Sequence, residues 1–548
     1  MKGIKHGIVA AAVALLLAVS GMPPAKAAVQ SPQSVRIGLF YKTTAVAGFD
    51  VNADKGMQIG INANNAFNSL YEVTGSEVVT IRKDAYFVKN NGVYTEYNPQ
   101  SQPSSPGEKV GPVHIRLGKG FSDLNAVLAQ VAALKLKGVA AYPAYAGAWE
   151  VWTGFYTDSG QAQSDITNNI EKKLGAGAYE VAQSSATRIA VYKSTGEIAL
   201  LLDGVSGAVQ IRPKQENNPY AFRINRDKKY RGDLEIKRLT GSDMTVVNVL
   251  PFDQYLYGVV PSEMESYSHA EALKAQAVAS RTYAINSMGK HNDTGFDLCA
   301  TTHCHVYNGL SGEAQTSTKA VDDTKGQLVM YNGKVASVFY SASSGGKTEY
   351  SYNVWTANLP YLVSVEDKYE LTTSSHYYWE KTFTAAQLKS TLLSKGIDVG
   401  DIQGMEVTKY TESGRASELT ITGTKKKQVI TKEATRTTFG LNSQMYSLTS
   451  NAGIPVRGDA GTVVNTSIAS KSIMTATGLK TIPSAGNISV IGAEGKKTLT
   501  ITSDAYTFKG KGWGHGVGMS QEGAKGMANA GFTYDKILKH YFPGTTVE

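Results

Sequence analysis

Past residue 34 the apolar positions recur with period two. Residues 35–41 (VRIGLFY) alternate as a half-buried strand does. Residues 86–97 (YFVKNNGVYTEY) set Asn91-Gly92 between aromatic and β-branched runs, a hairpin signal, and the Pro- and Ser-rich stretch 98–112 reads as a linker. Then the period changes. VHIRL (113–117) is a strand, and Ser122 can cap a helix whose Leu124, Val127, Leu128, Val131 and Leu134 share one face up to Gly138. Two strands follow, 139–145 and 149–156. A second helix carries Ala162, Ile166, Ile170 and Leu174 and stops at Gly175, and AYEVA (178–182) closes the unit. Strand–helix–strand–strand–helix–strand is the split βαβ arrangement. From about 185 the strand pattern returns. Either 113–184 is inserted into one sheet system built from both flanks, or a contiguous main domain begins at 185. The apolar run LYGVV (256–260) reads as the last strand of that β region, and Ser268-His269-Ala270-Glu271 as a capping box for an Ala-rich helix over 271–288. The expected divisions are therefore 28–97, 98–112, 113–184 and 185–548, an α+β chain that is mostly β.

Composition narrows this. Apolar residues make up 42% and charged residues 18% of the 548, values that exclude a disordered or coiled-coil chain. Lys and Arg exceed Asp and Glu by nine, and three of those lysines lie in residues 1–27, which hold no acid. The balance is too mild for a nucleic-acid binder and suits an acidic polymer such as a cell wall. Lys2 and Lys5, an apolar run from Ile8 to Val19 and Ala25-Lys26-Ala27 form a signal-peptide pattern over 1–27, so the mature chain is expected outside the membrane, secreted or wall-bound. An uncleaved anchor is the alternative, and nothing later in the chain resembles a transmembrane segment. With only two cysteines, no disulfide framework supports the fold.

Four segments carry candidate chemistry. Glu263 falls on the short connection between LYGVV and the Ala-rich helix; half-buried near a cleft, it would stay protonated at neutral pH, and otherwise it is a solvated surface acid. FDLCATTHCHVYNG (296–309) gathers Cys299, His303, Cys304 and His305 at a spacing that suits tetrahedral zinc, a short disulfide or two free thiols; each reading gives the loop a structural role. Ser341 to Gly346 (SASSGG) offers small residues and hydroxyls to a sugar, or is a plain turn. No base adjoins these serines, which argues against a serine nucleophile. In FKGKGWGHGVGMSQEGAKGMANAG (508–531), glycines alternate around Trp513 and His515 without the ending of a phosphate loop, and Ser520 can cap a helix holding Gln521.

YRGDLEIKR, VNVLPFDQYLYGVVPSEM, EALKAQAVASRTYA, FDLCATTHCHVYNG, YSASSGGKTE, VWTANLPYLVSVED, RTTFGLNS and WGHGVGMSQEGA occur in one order. Together they resemble the stage II sporulation protein D / amidase enhancer (LytB) family of cell-wall proteins, over about 230–365 and 430–545. The resemblance implies a mostly β fold with a few helices around a glycan-binding cleft. It implies a lytic transglycosylase that cuts MurNAc–GlcNAc bonds of denuded peptidoglycan strands, with Glu263 as its acid. Ser341, Ser343, His515, Ser520 and Gln521 would then bind and position the glycan. It also implies a structural zinc held by Cys299, His303 and Cys304, with His305 as substitute because the loop is one residue short. Other members enhance a separate N-acetylmuramoyl-L-alanine amidase, which supplies a non-catalytic alternative and a candidate partner. A third reading makes the zinc the catalytic centre of a hydrolase. The 113–184 unit resembles a SPOR-type glycan-binding module through its element order and WEVWTGFYTDSGQAQ, or is a ferredoxin-like spacer.

Overall fold

The computed structural model describes residues 31–548 apart from 65, 103–105, 205–206, 218, 239–242 and several positions between 452 and 502. The signal-peptide segment 1–27 lies outside the described residues. The fold is α+β and mostly β, built around two large sheets. The first orders Leu298–Cys299, Ser34–Phe40, Met244–Pro251, Asp233–Arg238, Ala208–Pro213, Gly56–Ala63 and Ala66–Thr74. Alternation is literal in its Ser34–Phe40 strand, where Val35 and Ile37 are fully buried. That strand pairs antiparallel with Met244–Pro251 and parallel with Leu298–Cys299, which fixes Cys299 at a sheet edge.

The second sheet has ten strands. One end is Glu180–Ala182, Val113–Phe121, Trp149–Tyr156 and Ala141–Tyr145, the 4-1-3-2 order of a split βαβ unit, with helices Leu124–Leu136 and Ser159–Leu174 between its strands. The sheet then runs on without a break, since Ala144 and Tyr145 pair with Leu201 and Leu202. Beyond them, Ile189–Tyr192 pairs with Val79–Lys83 and Ala221–Ile224 with Gly48–Asn52. Strands from before residue 97 and after residue 185 thus share both sheets.

Several local expectations change. LYGVV is not a strand: Phe252–Glu263 is a helix that buries Phe252, Tyr255, Leu256, Val259 and Val260. Those positions repeat at helical spacing, which the β-branched pair at 259–260 obscures. The helix Ala270–Ser287 is capped by the His269 ring, which accepts from Glu271 N–H, and not by Ser268. Asp123, one residue after Ser122, caps Leu124–Leu136. The linker 98–112 contains a strand, Glu108–Val110, paired to the predicted hairpin of Phe87–Asn90 and Val93–Glu96.

The principal core surrounds Ala270–Ser287, which buries Ala272, Leu273, Ala275, Ala277, Val278 and Ala279. Alanine on every side lets neighbours pack close all round, so this helix has no polar face. A second core, around Trp379, Leu388, Leu392, Leu419, Ile421 and Phe508, belongs to residues 378–446 joined by the C-terminal strand Ala505–Lys511.

Candidate functional site

Glu263 is the last residue of the Phe252–Glu263 helix, whose chain turns extended at Met264. Its carboxyl group is half-buried. Burial pushes it up to about 7, against the opposing pull of hydrogen bonds from Val306 N–H and the Gln521 amide. No second carboxylate is among the groups that act on it. Gln521 also donates to Gln276 (3.3 Å), Gln276 donates to Ser280 (3.0 Å), and Ser280 meets the Tyr340 hydroxyl at 3.2 Å. Burial first, then the charge of Glu263, holds the Tyr340 phenol well above its ordinary value. The acid therefore sits on a floor of neutral amides and phenols. Gln276, Tyr340 and Val306 were not singled out by sequence. The one available signal was Gln276, an amide fully buried among alanines that must find partners inside.

The structure brings the serine strand and the glycine-rich turn together. Tyr340-Ser341 pairs in parallel with Met519-Ser520, and the Ser343 and Trp513 backbones exchange hydrogen bonds at 3.2 and 2.9 Å. Among the expected glycan-positioning residues, only Gln521 touches Glu263. Ser341 and Ser343 are buried in the pairing. Ser520 is buried too: it caps Gln521–Asn529 by accepting from Gly523 N–H and donates to Glu370 at 3.0 Å. Glu370 and Asp367 are themselves committed to Ser344, Gly346 N–H and Tyr541, so this acid pair braces the turn from beneath. Burial and then Glu370 push Asp367 up to about 6. His515 is half-buried, accepts from Val517 N–H at 3.0 Å and packs edge-on against Trp355. Burial, then the charges of Arg436 and Arg415, press its imidazole down to about 3, so it is neutral at ordinary pH.

The Cys/His loop gathers four donors: His291, Cys299, His303 and Cys304, whose ligand atoms all lie within 4.8 Å of one another. His291 Nε2 stands 3.2 Å from His303 Nδ1 and 3.5 Å from Cys304 Sγ, and His303 Nδ1 stands 3.7 Å from Cys299 Sγ. A tetrahedron with ~2.0–2.1 Å to nitrogen and ~2.3 Å to sulfur has edges of this length. Both thiols are free, not bridged. His305, the expected substitute, is elsewhere: its Nδ1 meets the Tyr255 hydroxyl at 2.9 Å inside the core. The fourth donor of the cluster is His291, eight residues before Cys299 and outside the span in which the sequence clustered its donors.

The chain is thus a mostly β protein in which a half-buried acid ends a helix, with a Cys/His loop and a tryptophan–histidine turn supplying its neighbours. Residues 240–331 match the stage II sporulation protein (SpoIID) family model, and residues 353–454 match a domain of unknown function, DUF8618. The chain carries a domain of the stage II sporulation protein family. It is 33% identical over 305 residues to the amidase enhancer of Bacillus subtilis (strain 168), a match covering 53% of this chain and 40% of that protein. It is 29% identical over 316 residues to stage II sporulation protein D of the same organism, covering 55% of this chain and 75% of that one. The Bacillus amyloliquefaciens protein of the same name is 28% identical over 323 residues, 56% of this chain and 76% of its own. The insert at 113–182 lies outside both family matches. No helix among the described residues is long and apolar enough to cross a membrane.

Proposed function

We propose that this is an exported cell-wall protein that cuts the glycan strands of peptidoglycan as a lytic transglycosylase, with Glu263 as its catalytic residue. The observation that carries the reading is a single carboxyl group raised to about 7 by burial and held by two donors. Half its population is protonated at neutral pH, which is what an acid catalyst needs. A hydrolase of the two-carboxylate kind needs a partner acid. A transglycosylase needs one group acting twice.

Protonated Glu263 donates its hydrogen to the glycosidic oxygen as the bond from C1 of the muramyl sugar to that oxygen breaks. The C6 hydroxyl of the same sugar then attacks C1. Its proton passes to the Glu263 carboxylate, leaving a 1,6-anhydro end and restoring the acid. Gln521 and Val306 N–H orient the carboxyl, and the neutral floor of Gln276, Ser280 and Tyr340 adds no competing charge. His291, Cys299, His303 and Cys304 fit a zinc ion, which would cross-link the loop. Val306, two residues past Cys304, would then be held against Glu263.

Glu263→Gln tests this on denuded glycan, with 1,6-anhydro-muramyl ends read by mass spectrometry. The expected loss is about 10²–10⁴-fold. Equal cleavage by the folded variant removes the proposal. The similarity to an amidase enhancer favours a second reading, a non-catalytic wall binder that stimulates an N-acetylmuramoyl-L-alanine amidase. It predicts no anhydro ends from the wild-type chain, and faster stem-peptide release when the chain is added to the amidase.

A further inference from the structure

A groove of about 870 Å³ opens between the sheet Tyr378–Thr384, Ala505–Lys511, Tyr446–Ser450 and the turn that follows Tyr410. Its volume is at the upper end for a small-ligand site. Tyr378 and Tyr410 are 62% and 47% exposed there, unusual for large rings that a fold could bury. Gly510 lets the floor pack closely: a Cβ at that position would run into the Trp379 indole and the Met445 carbonyl. Lys511 is exposed and stands across from Tyr378 in the sheet register, its Nζ 5.5 Å from that ring and 5.9 Å from the ring of Tyr377. Unlike Lys509, which pairs with Glu380, it faces rings and no acid among the described residues.

One continuous piece of chain joins this groove to Glu263. From Lys511 it passes through Trp513, which is 43% exposed and packed edge-on against His376. His376 meets Glu522 at 3.4 Å, and Gln521 next to it touches Glu263. Lys511, Trp513 and the Gln521 that touches Glu263 therefore belong to one stretch of eleven residues.

We infer that this groove is a remote glycan subsite, in which Tyr378 and Tyr410 stack on sugar faces and Lys511 pairs with the free lactyl carboxylate of a muramyl residue lacking its stem peptide. This rests on the proposal that the chain acts on denuded peptidoglycan glycan and adds where, away from Glu263, the chain holds that glycan. Removing the stem peptide unmasks one carboxylate per muramyl unit, turning a neutral strand into a polyanion. An aromatic platform alone binds any β-linked amino sugar. A cation beside it distinguishes the muramyl polymer from chitin.

The test measures binding by the full chain in the Glu263→Gln background, so that no probe is cut. The probes are a peptide-free muramyl–glucosaminyl oligosaccharide and a chitin oligosaccharide of equal length. Lys511→Ala is expected to weaken the muramyl probe about fivefold, the upper range for one exposed ion pair, and to leave chitin unchanged. Tyr378→Ala with Tyr410→Ala is expected to weaken both. All three side chains are exposed, so the variants keep the fold, which thermal unfolding checks. Unchanged affinity for both probes in every variant overturns the subsite, as does Lys511→Ala weakening chitin equally. Wild-type cleavage alongside unchanged groove variants removes the subsite alone. Groove-dependent binding without wild-type cleavage removes the transglycosylase and keeps the subsite.

Discussion

At the scale of the residue, Glu263 couples the proposed catalysis to pH and to stability. Its folded value, about 7, lies above the 4.5 of an exposed glutamate, because burial disfavours the charged form. The stability tied to its proton is complete below pH 4.5 and is lost as pH rises through about 7. The gap corresponds to about 3–4 kcal/mol at ~1.4 kcal/mol per unit. Glu263→Gln removes that dependence, so the variant should be more stable than the wild type at pH 8 and no more stable at pH 4, as read from Tm. Cleavage by the wild type should fall about tenfold per unit above pH 7, following the protonated fraction. The sequence named this acid through its neighbours, whereas its donors come from 43 and 258 residues further along, at Val306 and Gln521. Local pattern cannot supply such contacts. Ser520 was legible as a helix cap for the opposite reason, since capping is a contact within four residues.

At the scale of the element, two loops decide whether the site exists. In the glycine-rich turn, Gly516 has φ +74°, and a Cβ there would run into the buried guanidinium of Arg415. Arg415 donates to the Ser344 and Lys347 carbonyls at 2.7 and 2.9 Å, so it cannot move without releasing the serine strand. Gly516→Ala should cost about 3 kcal/mol, from left-handed strain plus the lost hydrogen bonds, measured by denaturant unfolding. The zinc proposed for the Cys/His loop makes a second prediction. His291→Ala should abolish one bound zinc per chain in elemental analysis and lower Tm, while His305→Ala keeps the metal, because His291 joins His303 at the thiols and His305 points into the core. The three donors read from the sequence, Cys299, His303 and Cys304, lie together, while its substitute His305 does not join them and His291 does. His305 alternates away from Cys304 into the core, and His291 is folded back onto the loop by the turn at Asn292–Thr294. The helix ending at Glu263 was hidden similarly: its Val259-Val260 pair signals a strand until the four-residue spacing from Phe252 through Leu256 and Val260 is set against three sides of packing.

At the scale of the whole molecule, Arg188 holds the 113–182 insert to the rest. The chain enters the insert at Pro112 and leaves it at Gln183, and this fully buried guanidinium donates to both of those carbonyls, at 2.8 and 2.7 Å. It also pairs with Asp84 at 3.0 Å and Asp203 at 2.8 Å. Burial works to raise the Asp84 carboxyl, but His114 and Arg188 outweigh it and hold it below the usual carboxylate range. His114, on the first strand of the insert, reaches the same carboxylate at 3.0 Å, so one ion cluster spans the seam. The element order of the insert could be read from hydrophobic period alone. Its seam could not, because Asp84, Arg188 and Asp203 lie far apart in the sequence and become a cluster only through the folding together of distant segments. Arg188→Met keeps the bulk and removes the charge. Asp84 and Asp203 would then be buried without their counter-ion, at a cost of about 3–5 kcal/mol. Hydrogen exchange should locate that loss, with protection falling in Val113–Phe121 and Glu180–Ala182 while the Ala270–Ser287 helix, in a separate core, stays protected. Anhydro-end formation should persist in this variant, because Glu263 and its donors lie in that other core. If exchange rises evenly across both cores, the insert and the acid-bearing body unfold as one unit and Arg188 is not their hinge pin.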